Sequence, residues 1–308
     1  MGYLSQKKKH ERINFILNFI LNFSLGLISV TSFLALFDRS STFSAFVNQW
    51  QFQIYLYLLV VFMYALISRF FIQGTFAALL IVVNYMLIAS SANLFNSSHG
   101  GGTRQVSILY QNQTQNADTL MAQAQAEGVD VISLNHSRAP FSNIDKYPGY
   151  YLYNDDNELQ QSFIISKYLP LKSGRILFSP QYSGSYMMFI AENQPMVLVN
   201  IDFSGLTHEQ EGTVYHNLGE FVIAQDNPVV IVGDFGIPAW SKTFQKFLNK
   251  TGLEVKNHVI LSNGKYRFNP FSIPSFNLLA YKNFGVSNVQ FLPKNDNNLY
   301  PLLINLTF

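Results

Sequence analysis

The 308-residue sequence contains no cysteine, only two tryptophans and few charged residues. Without thiols the chain can form neither a disulfide framework nor a thiolate metal site. Charged residues make up 12% of the chain, whereas soluble domains usually contain about 25%. This low average conceals two halves of very different composition.

The few charges are concentrated in the carboxyl-terminal part. Residues 1–102 hold six Lys or Arg and two acidic residues, whereas residues 103–308 hold fourteen basic and sixteen acidic residues, 14 − 16 = −2. This asymmetry indicates a membrane region followed by a soluble domain that is large enough for one core. Because the domain has a negative net charge and no basic run, we expect no nucleic-acid partner.

Three apolar stretches lie in the amino-terminal part, namely Ile13–Phe37, Phe52–Phe71 and Thr75–Phe95. Each reaches the roughly 20 residues that a helix needs to cross a hydrocarbon core of about 30 Å. We therefore predict a region of three transmembrane helices over residues 13–95, with a linker at 96–103 before the domain at 104–308.

The positive charges before the first stretch predict the orientation of the chain in the membrane. They lie in a basic tail, residues 1–12, which contains Lys7, Lys8, Lys9 and Arg12. Positive residues flanking a membrane helix favour the cytoplasmic side. We therefore expect an inner-membrane protein whose amino terminus is cytoplasmic. Three crossings would then place the domain in the periplasm or otherwise outside the cytoplasm.

Two of the apolar stretches carry stripes of amide and small residues. In the first stretch these are Asn14, Asn18, Asn22 and Gly26, and in the third they are Ala77, Asn84 and Ser91. Spacings of four and seven keep such residues near one helix face, and an amide in lipid is costly unless it is hydrogen bonded. We predict that both stripes lie in helix interfaces, either among the three helices or with a separate membrane subunit.

The soluble part alternates predicted strands and helices, which is typical of an α/β domain. The predicted strands are Gln105–Tyr110, Val129–Leu134, Met196–Phe203, Pro228–Val232, Asn277–Tyr281 and Leu302–Leu306. The predicted helices are Ala117–Glu127, His208–Ala224 and Lys242–Lys250.

Four segments of this part resemble the endonuclease/exonuclease/phosphatase family, the DNase I-like hydrolases. PVVIVGDFGIPAWSKTFQKFL at 228–248 is similar to the family's strand, Gly-Asp-Phe-Asn turn and following helix. GVDVISLNH at 128–136, ISKYLPL at 165–171 and NNLYP at 297–301 are similar to three further family motifs. The resemblance implies a four-layer sandwich of two mixed sheets flanked by helices, and cleavage of phosphate esters with bound Mg²⁺.

Position by position, the resemblance also implies that the family's catalytic set is degenerate. The residues at the family's site positions are Gln111, His136, Asp202, Asp234, Gly236, Phe276, Asn298 and Leu299. Asp234 matches the aspartate of the turn, but Gly236 replaces the asparagine that follows it in the family. His136 replaces the metal-binding glutamate, and Asp202 and Gln111 replace a histidine and an asparagine.

Three further replacements remove the family's general base. Phe276 stands where an aspartate orients the catalytic histidine, and Asn298 and Leu299 stand where the family has its terminal Asp-His pair. Leucine cannot accept a proton and phenylalanine cannot orient an imidazole. The resemblance therefore implies a pseudoenzyme without a cofactor.

We accordingly predict a catalytically inactive, membrane-anchored protein that acts as a structural or interaction subunit of a membrane complex. One alternative is an active metal-dependent phosphoesterase with a rearranged Mg²⁺ site formed by Asp234, Asp202 and His136. A second alternative is an extracytoplasmic sensor that binds a ligand in the old cleft. The expected partners are the membrane and other subunits of the complex.

Overall fold

The computed structural model describes residues 2–37, 49–89, 105–112, 117–135, 147–154, 162–256, 275–281, 283–294 and 300–308. The chain separates into two compact units, Met1–Ser90 and Ser91–Phe308. The predicted linker at 96–103 lies outside the described residues.

The first unit contains three helices, α1 (Gly2–Phe37), α2 (Gln51–Ile67) and α3 (Phe71–Ala89). Apolar side chains from all three pack into one core: Leu21, Leu25, Ile28, Leu58, Val61, Ala77 and Leu80. Large apolar side chains such as Phe15, Phe19 and Ile72 are exposed on the outside. A helical unit that is apolar both inside and outside is typical of a membrane environment.

Among the described residues, two helical segments are long and apolar enough to cross a membrane, Arg12–Phe33 and Phe71–Ala89. The expectation of three helices of this length is therefore not met by the second one, which is apolar but shorter than the roughly 20 residues expected. Helix α2 has only 17 residues, because the chain turns at Arg69, which has a left-handed φ of 60°. The sequence did not reveal this turn, since Phe70 and Phe71 continue the apolar run through it.

The second unit is a sandwich of two six-stranded mixed sheets. The first sheet has the order β11-β12-β1-β2-β4-β3 and contains β1 (Gln105–Gln111), β2 (Val131–Asn135), β3 (Tyr151–Asn154), β4 (Ser162–Ser166), β11 (Gly285–Phe291) and β12 (Leu302–Thr307). The second sheet has the order β5-β6-β7-β8-β10-β9 and contains β5 (Pro170–Leu177), β6 (Ser183–Ala191), β7 (Gln194–Asp202), β8 (Val229–Asp234), β9 (Glu254–Val255) and β10 (Phe276–Ala280). The pairs β1/β2 and β7/β8 are parallel, and the remaining pairs are antiparallel.

Alternation along the strands produces the layers. Inward residues such as Ile108, Leu198 and Val232 form the core between the sheets. Outward residues such as Leu109 and Ile132 of the first sheet pack with α4 (Ala117–Ala126). This side of the first sheet is the third layer of the sandwich.

The outer face of the second sheet is covered by α5 (His208–Ile223) and α6 (Lys242–Thr251). Rings of Tyr215, Phe244 and Phe247 pack between these two helices, and Tyr215 also contacts Phe203, just after β7. The predicted four-layer α/β sandwich is confirmed.

The short helix α6 begins and ends where its sequence predicts. The Ser241 hydroxyl accepts a hydrogen bond from the backbone N–H of Phe244, which caps the amino terminus. Gly252 ends the helix with a left-handed φ of 71°. These caps hold the helix that follows the Gly-Asp-Phe-Gly turn, and so they help to position the candidate site.

Candidate functional site

Strand pairing brings the described site positions to one end of the sandwich. Asp202 at the end of β7 lies beside Asp234 at the end of β8, and Asp234 lies beside Phe276 at the start of β10. In the first sheet, Gln111 and Asn135 end the parallel strands β1 and β2. The carboxyl ends of two pairs of parallel strands therefore form this end, which is where α/β folds commonly place a site.

Both aspartates are held by their own turns. Asp202 Oδ1 accepts the backbone N–H of Ser204 at 2.8 Å, and Asp234 Oδ1 accepts the backbone N–H of Gly236 at 2.8 Å. Such bonds two residues along the chain are the usual means by which Asp stabilises a tight turn. Each carboxylate therefore has a local structural role.

Two glycines, one near the end of β8 and one in the turn after it, allow this segment to approach β7 closely. Gly233 has a φ of 147°, and a Cβ there would lie 2.0 Å from the carbonyl oxygen of Ile201. Gly236 has a φ of 70°, and a Cβ there would lie 2.2 Å from the carbonyl oxygen of Phe203. The turn thus has no space for the asparagine that the family resemblance would place at position 236.

An aromatic pair occupies the centre of this end. The rings of Phe276 and Tyr110 lie 4.8 Å apart between centroids, and Tyr110 is buried. Burial raises the pKa of the Tyr110 hydroxyl well above its usual value, and the charges of Asp202 and Asp234 raise that pKa further. The hydroxyl therefore stays neutral, and it accepts a long hydrogen bond of 3.4 Å from Asn135 Nδ2.

Buried amide and hydroxyl groups join the two sheets below the aromatic pair. Asn135 Nδ2 donates to the carbonyl oxygen of Ile201 at 2.9 Å, and Asn200 Nδ2 donates to that of Leu134 at 2.8 Å. Asn200 Nδ2 also donates to Ser162 Oγ, which lies 2.7 Å from Ser185 Oγ. We name these four side chains (Asn135, Ser162, Ser185 and Asn200) the inter-sheet polar cluster.

The inter-sheet polar cluster was not predicted from the sequence. A signal was present, because Asn200 interrupts the apolar strand Met196–Ile201 on the same face as the core residue Leu198. However, a single polar residue in a strand does not show whether it faces a cleft or the opposite sheet. The structure shows that it bonds to the opposite sheet.

The remaining predicted site residues, His136, Asn298 and Leu299, lie outside the described residues. Within the described ranges, no three His, Asp or Glu side chains come together in a group able to hold a metal ion. Mg²⁺ requires near-octahedral oxygen ligands. Among the family's site positions that the structure describes, the two carboxylates are tied to turns, and the others are Gln111, Gly236 and the hydrocarbon ring of Phe276. The described residues alone therefore do not make up a site for the family's metal ion.

The residues predicted to lie in helix interfaces differ in their burial and in their hydrogen bonds. Gln73 Nε2 donates to Asn18 Oδ1 at 3.0 Å and to Asn22 Oδ1 at 3.3 Å, while Asn14 and Gly26 are exposed. Ala77 and Asn84 are buried, and Asn84 Nδ2 donates to Ser32 Oγ at 2.9 Å. Ser91 lies outside the described residues. Part of the asparagine stripe is thus satisfied inside the helical unit.

Two packed mixed sheets flanked by helices define the DNase I-like fold of endonuclease/exonuclease/phosphatase proteins, and this chain has that fold. Similar solved structures include the endonuclease/exonuclease/phosphatase from Bacteroides vulgatus, with 11% identity, a TM-score of 0.56 and coverage of 66% of this chain and 99% of that one.

Two further structures show the same likeness. The protein of this family from Beutenbergia cavernae has 12% identity and a TM-score of 0.52, with 67% of this chain and 72% of that chain covered. The mannosyl-6-phosphatase from Bacteroides thetaiotaomicron has 11% identity and a TM-score of 0.50, with 66% and 100% covered. No family model and no curated protein matches the sequence.

Proposed function

We propose that the protein is a membrane-anchored, catalytically inactive member of the DNase I-like fold that serves as a structural or interaction subunit of a membrane complex. The main observation in support of lost catalysis is the turn at Gly236, where the carbonyl oxygen of Phe203 occupies the space that a side chain would need. A turn of this shape cannot present an amide to a phosphoryl oxygen.

The surroundings of the turn support the same proposal. Hydrolysis in this fold needs a hard cation and a base that activates water. Phe276 lies beside Asp234 in the sheet and packs its ring on Tyr110, and neither the ring nor the neutral Tyr110 hydroxyl can supply the base. The inter-sheet polar cluster directs its amides to backbone carbonyls and not toward a substrate.

Membrane anchoring is supported by the two long apolar helices and by their exposed phenylalanines. The extracytoplasmic location remains a prediction, and it requires that α2 cross the membrane as well. With 17 residues, about 26 Å of helix, α2 lies at the short end of the range for crossing helices. Extraction of membranes with alkaline carbonate tests the anchoring alone, since an anchored chain stays in the pellet.

The catalytic part of the proposal is tested with the full chain in mild detergent. Phosphomonoesters, phosphodiesters and DNA are incubated with Mg²⁺ or Mn²⁺, and the turnover is compared with that of Asp234→Ala. We expect no difference between the two proteins. Metal-dependent turnover that disappears in Asp234→Ala would overturn the pseudoenzyme proposal.

The subunit role is tested by gentle detergent extraction of the chain at its native abundance. Partners recovered in stoichiometric amounts would support the role of a complex subunit. A chain recovered alone, whose thermal unfolding shifts upward with a small ligand, would favour the alternative of a sensor.

A rearranged phosphoesterase is the second candidate, and the pairing of Asp202 with Asp234 in the parallel register supports it. Two adjacent carboxylates at a strand end are a common start of a metal site. In this candidate His136 would complete the site. Its distinguishing result is a metal-dependent activity that is lost equally in Asp202→Ala, Asp234→Ala and His136→Ala.

A further inference from the structure

One edge of the second sheet exposes several large apolar side chains. We name residues 167–177, which lead into and form β5, the β5 edge. Leu169, Leu171 and Leu177 are 62%, 55% and 62% exposed there. Single exposed leucines are ordinary on protein surfaces, but three within nine residues of one edge strand need an explanation.

The same segment has an unusual charge. Residues 167–177 contain three basic residues and no acidic residue, although the domain as a whole has a net charge of 14 − 16 = −2. Lys167 is bonded to the Gly128 carbonyl and lies 3.7 Å from Asp130. Lys172 and Arg175 are exposed on β5 itself, where they lie between Leu171 and Leu177 in the sequence.

Edge protection explains only part of this pattern. An edge strand is commonly guarded against pairing with other chains by a proline, a bulge or charged residues, and β5 has Pro170, a bulge after it and Lys172. Exposed leucines act against such protection. On β11, which forms an edge of the other sheet, the exposed residues are Ser287, Asn288 and Gln290, all polar.

We propose that the β5 edge docks on an anionic lipid surface, with its leucines at the headgroup boundary and Lys172 and Arg175 on the lipid headgroups. Apolar residues flanked by cations are the usual composition of a surface that lies in the membrane interface. This inference rests on the proposed membrane anchoring. The 15 residues from 90 to 104 span at most about 50 Å, so an anchored domain would stay close to the headgroups.

The absence of cysteine permits a single-cysteine experiment on the full chain. Ser173→Cys, on β5, and Asn249→Cys, on α6, each receive an environment-sensitive fluorophore, and the proteins are placed in nanodiscs of equimolar phosphatidylcholine and phosphatidylglycerol. Brominated lipids quench only a probe that reaches the lipid. We expect strong quenching at 173 and little at 249, and weaker quenching at 173 in phosphatidylcholine alone or at high salt.

Charge reversal tests the role of the cations. Lys172→Glu with Arg175→Glu should lower the ratio of docked to undocked domain by roughly tenfold or more, from about 1 kcal/mol for each cation near an anionic surface. The matched control, Lys242→Glu with Lys246→Glu on α6, makes the same change in net charge and should leave the quenching at 173 unaltered. Leu169→Ser, at an exposed loop position, should also reduce the quenching at 173.

Two results would overturn the proposal: equal quenching at 173 and 249, or an equal effect of the two charge reversals. Failure of the anchoring is a separate result, because such a chain would not be retained in nanodiscs or in carbonate-washed membranes. Protease resistance of each variant shows that its domain remains folded.

Discussion

The helical unit and the sandwich both bury amide side chains, but they bond these amides to different partners. In the helical unit Asn84 bonds across to the side chains of Ser32 and Gln51 on other helices, and it also donates to the Leu80 carbonyl of its own helix. In the sandwich Asn135 and Asn200 bond to backbone carbonyls of the opposite sheet. The difference follows from the backbone, because a helix satisfies its own carbonyls whereas the end of a strand leaves some available.

The two kinds of hydrogen-bond partner affect stability differently. A side-chain partner can turn to another group when its bond is lost, whereas a buried backbone carbonyl cannot move away. We therefore expect substitutions to cost more at the end of the sandwich than inside the helical unit.

The largest expected effect concerns the side of the membrane on which the sandwich lies, because the reporter signal is either present or absent. If α2 crosses the membrane together with the two longer helices, a phosphatase reporter fused after Phe308 should be active. A reporter that fluoresces only in the cytoplasm should stay dark at the same position. The opposite pair of results would show that α2 does not cross and that the sandwich lies on the side of the amino terminus.

Substitution in the turn after β8 should have the largest effect on stability. Gly236→Asn forces a Cβ to within 2.2 Å of the Phe203 carbonyl, so we expect a loss of at least about 3 kcal/mol and no gain of phosphatase activity. The measurement is thermal unfolding followed by the fluorescence of Trp240 in a Trp50→Phe background.

Gly252→Asn is the matched control for this turn. Gly252 has a φ of 71° but nothing within 4 Å of a Cβ, and Asn tolerates a left-handed conformation. Its cost should stay within about 1 kcal/mol. Equal costs at both glycines would mean that backbone conformation, and not the approach of β7, makes position 236 a glycine.

The inter-sheet polar cluster should give the next largest effect. Asn200→Leu leaves the Leu134 carbonyl and the Ser162 hydroxyl without their amide donor, so we expect a loss of about 2–3 kcal/mol. Asn249→Leu, at an exposed position of α6, should change the stability by no more than about 0.5 kcal/mol. A negligible loss for Asn200→Leu would show that these amides do not hold the sheets together.

The smallest effect is expected in the helical unit. Asn84→Leu removes contacts with two other helices, and interhelical polar contacts average about 0.6 kcal/mol each, so we expect a loss of about 1 kcal/mol. Trp50 lies just before α2, and in a Trp240→Phe background its fluorescence reports this unit alone. Asn14→Leu, at an exposed position, should leave the stability unchanged. A loss as large as that of Asn200→Leu would remove the distinction between the two units.

Much of the fold was predictable because its signals are local. The predicted strands Gln105–Tyr110 and Leu302–Leu306 and the helix Lys242–Lys250 agree with the structure to within one residue at each end. Alternating apolar residues, a serine cap and a terminal glycine act within a few residues of themselves. Strands β3 to β6, β9 and β11 were not predicted. Of these, β3 and β9 have only four and two residues, and such short strands depend on their neighbours in the sheet.

The amino-acid sequence by itself determined the apolar helices, the alternation of strands and helices, and the resemblance of the Gly-Asp-Phe-Gly segment to the family's turn. Tertiary structure alone decided that α2 ends at a turn inside an apolar run, that the Phe203 carbonyl fills the space at Gly236, and that Asn200 bonds to the opposite sheet. Periodicity and capping are properties of neighbouring residues along the chain. Steric exclusion and hydrogen-bond partners, in contrast, depend on segments far apart in the sequence that meet only when the sheets pack.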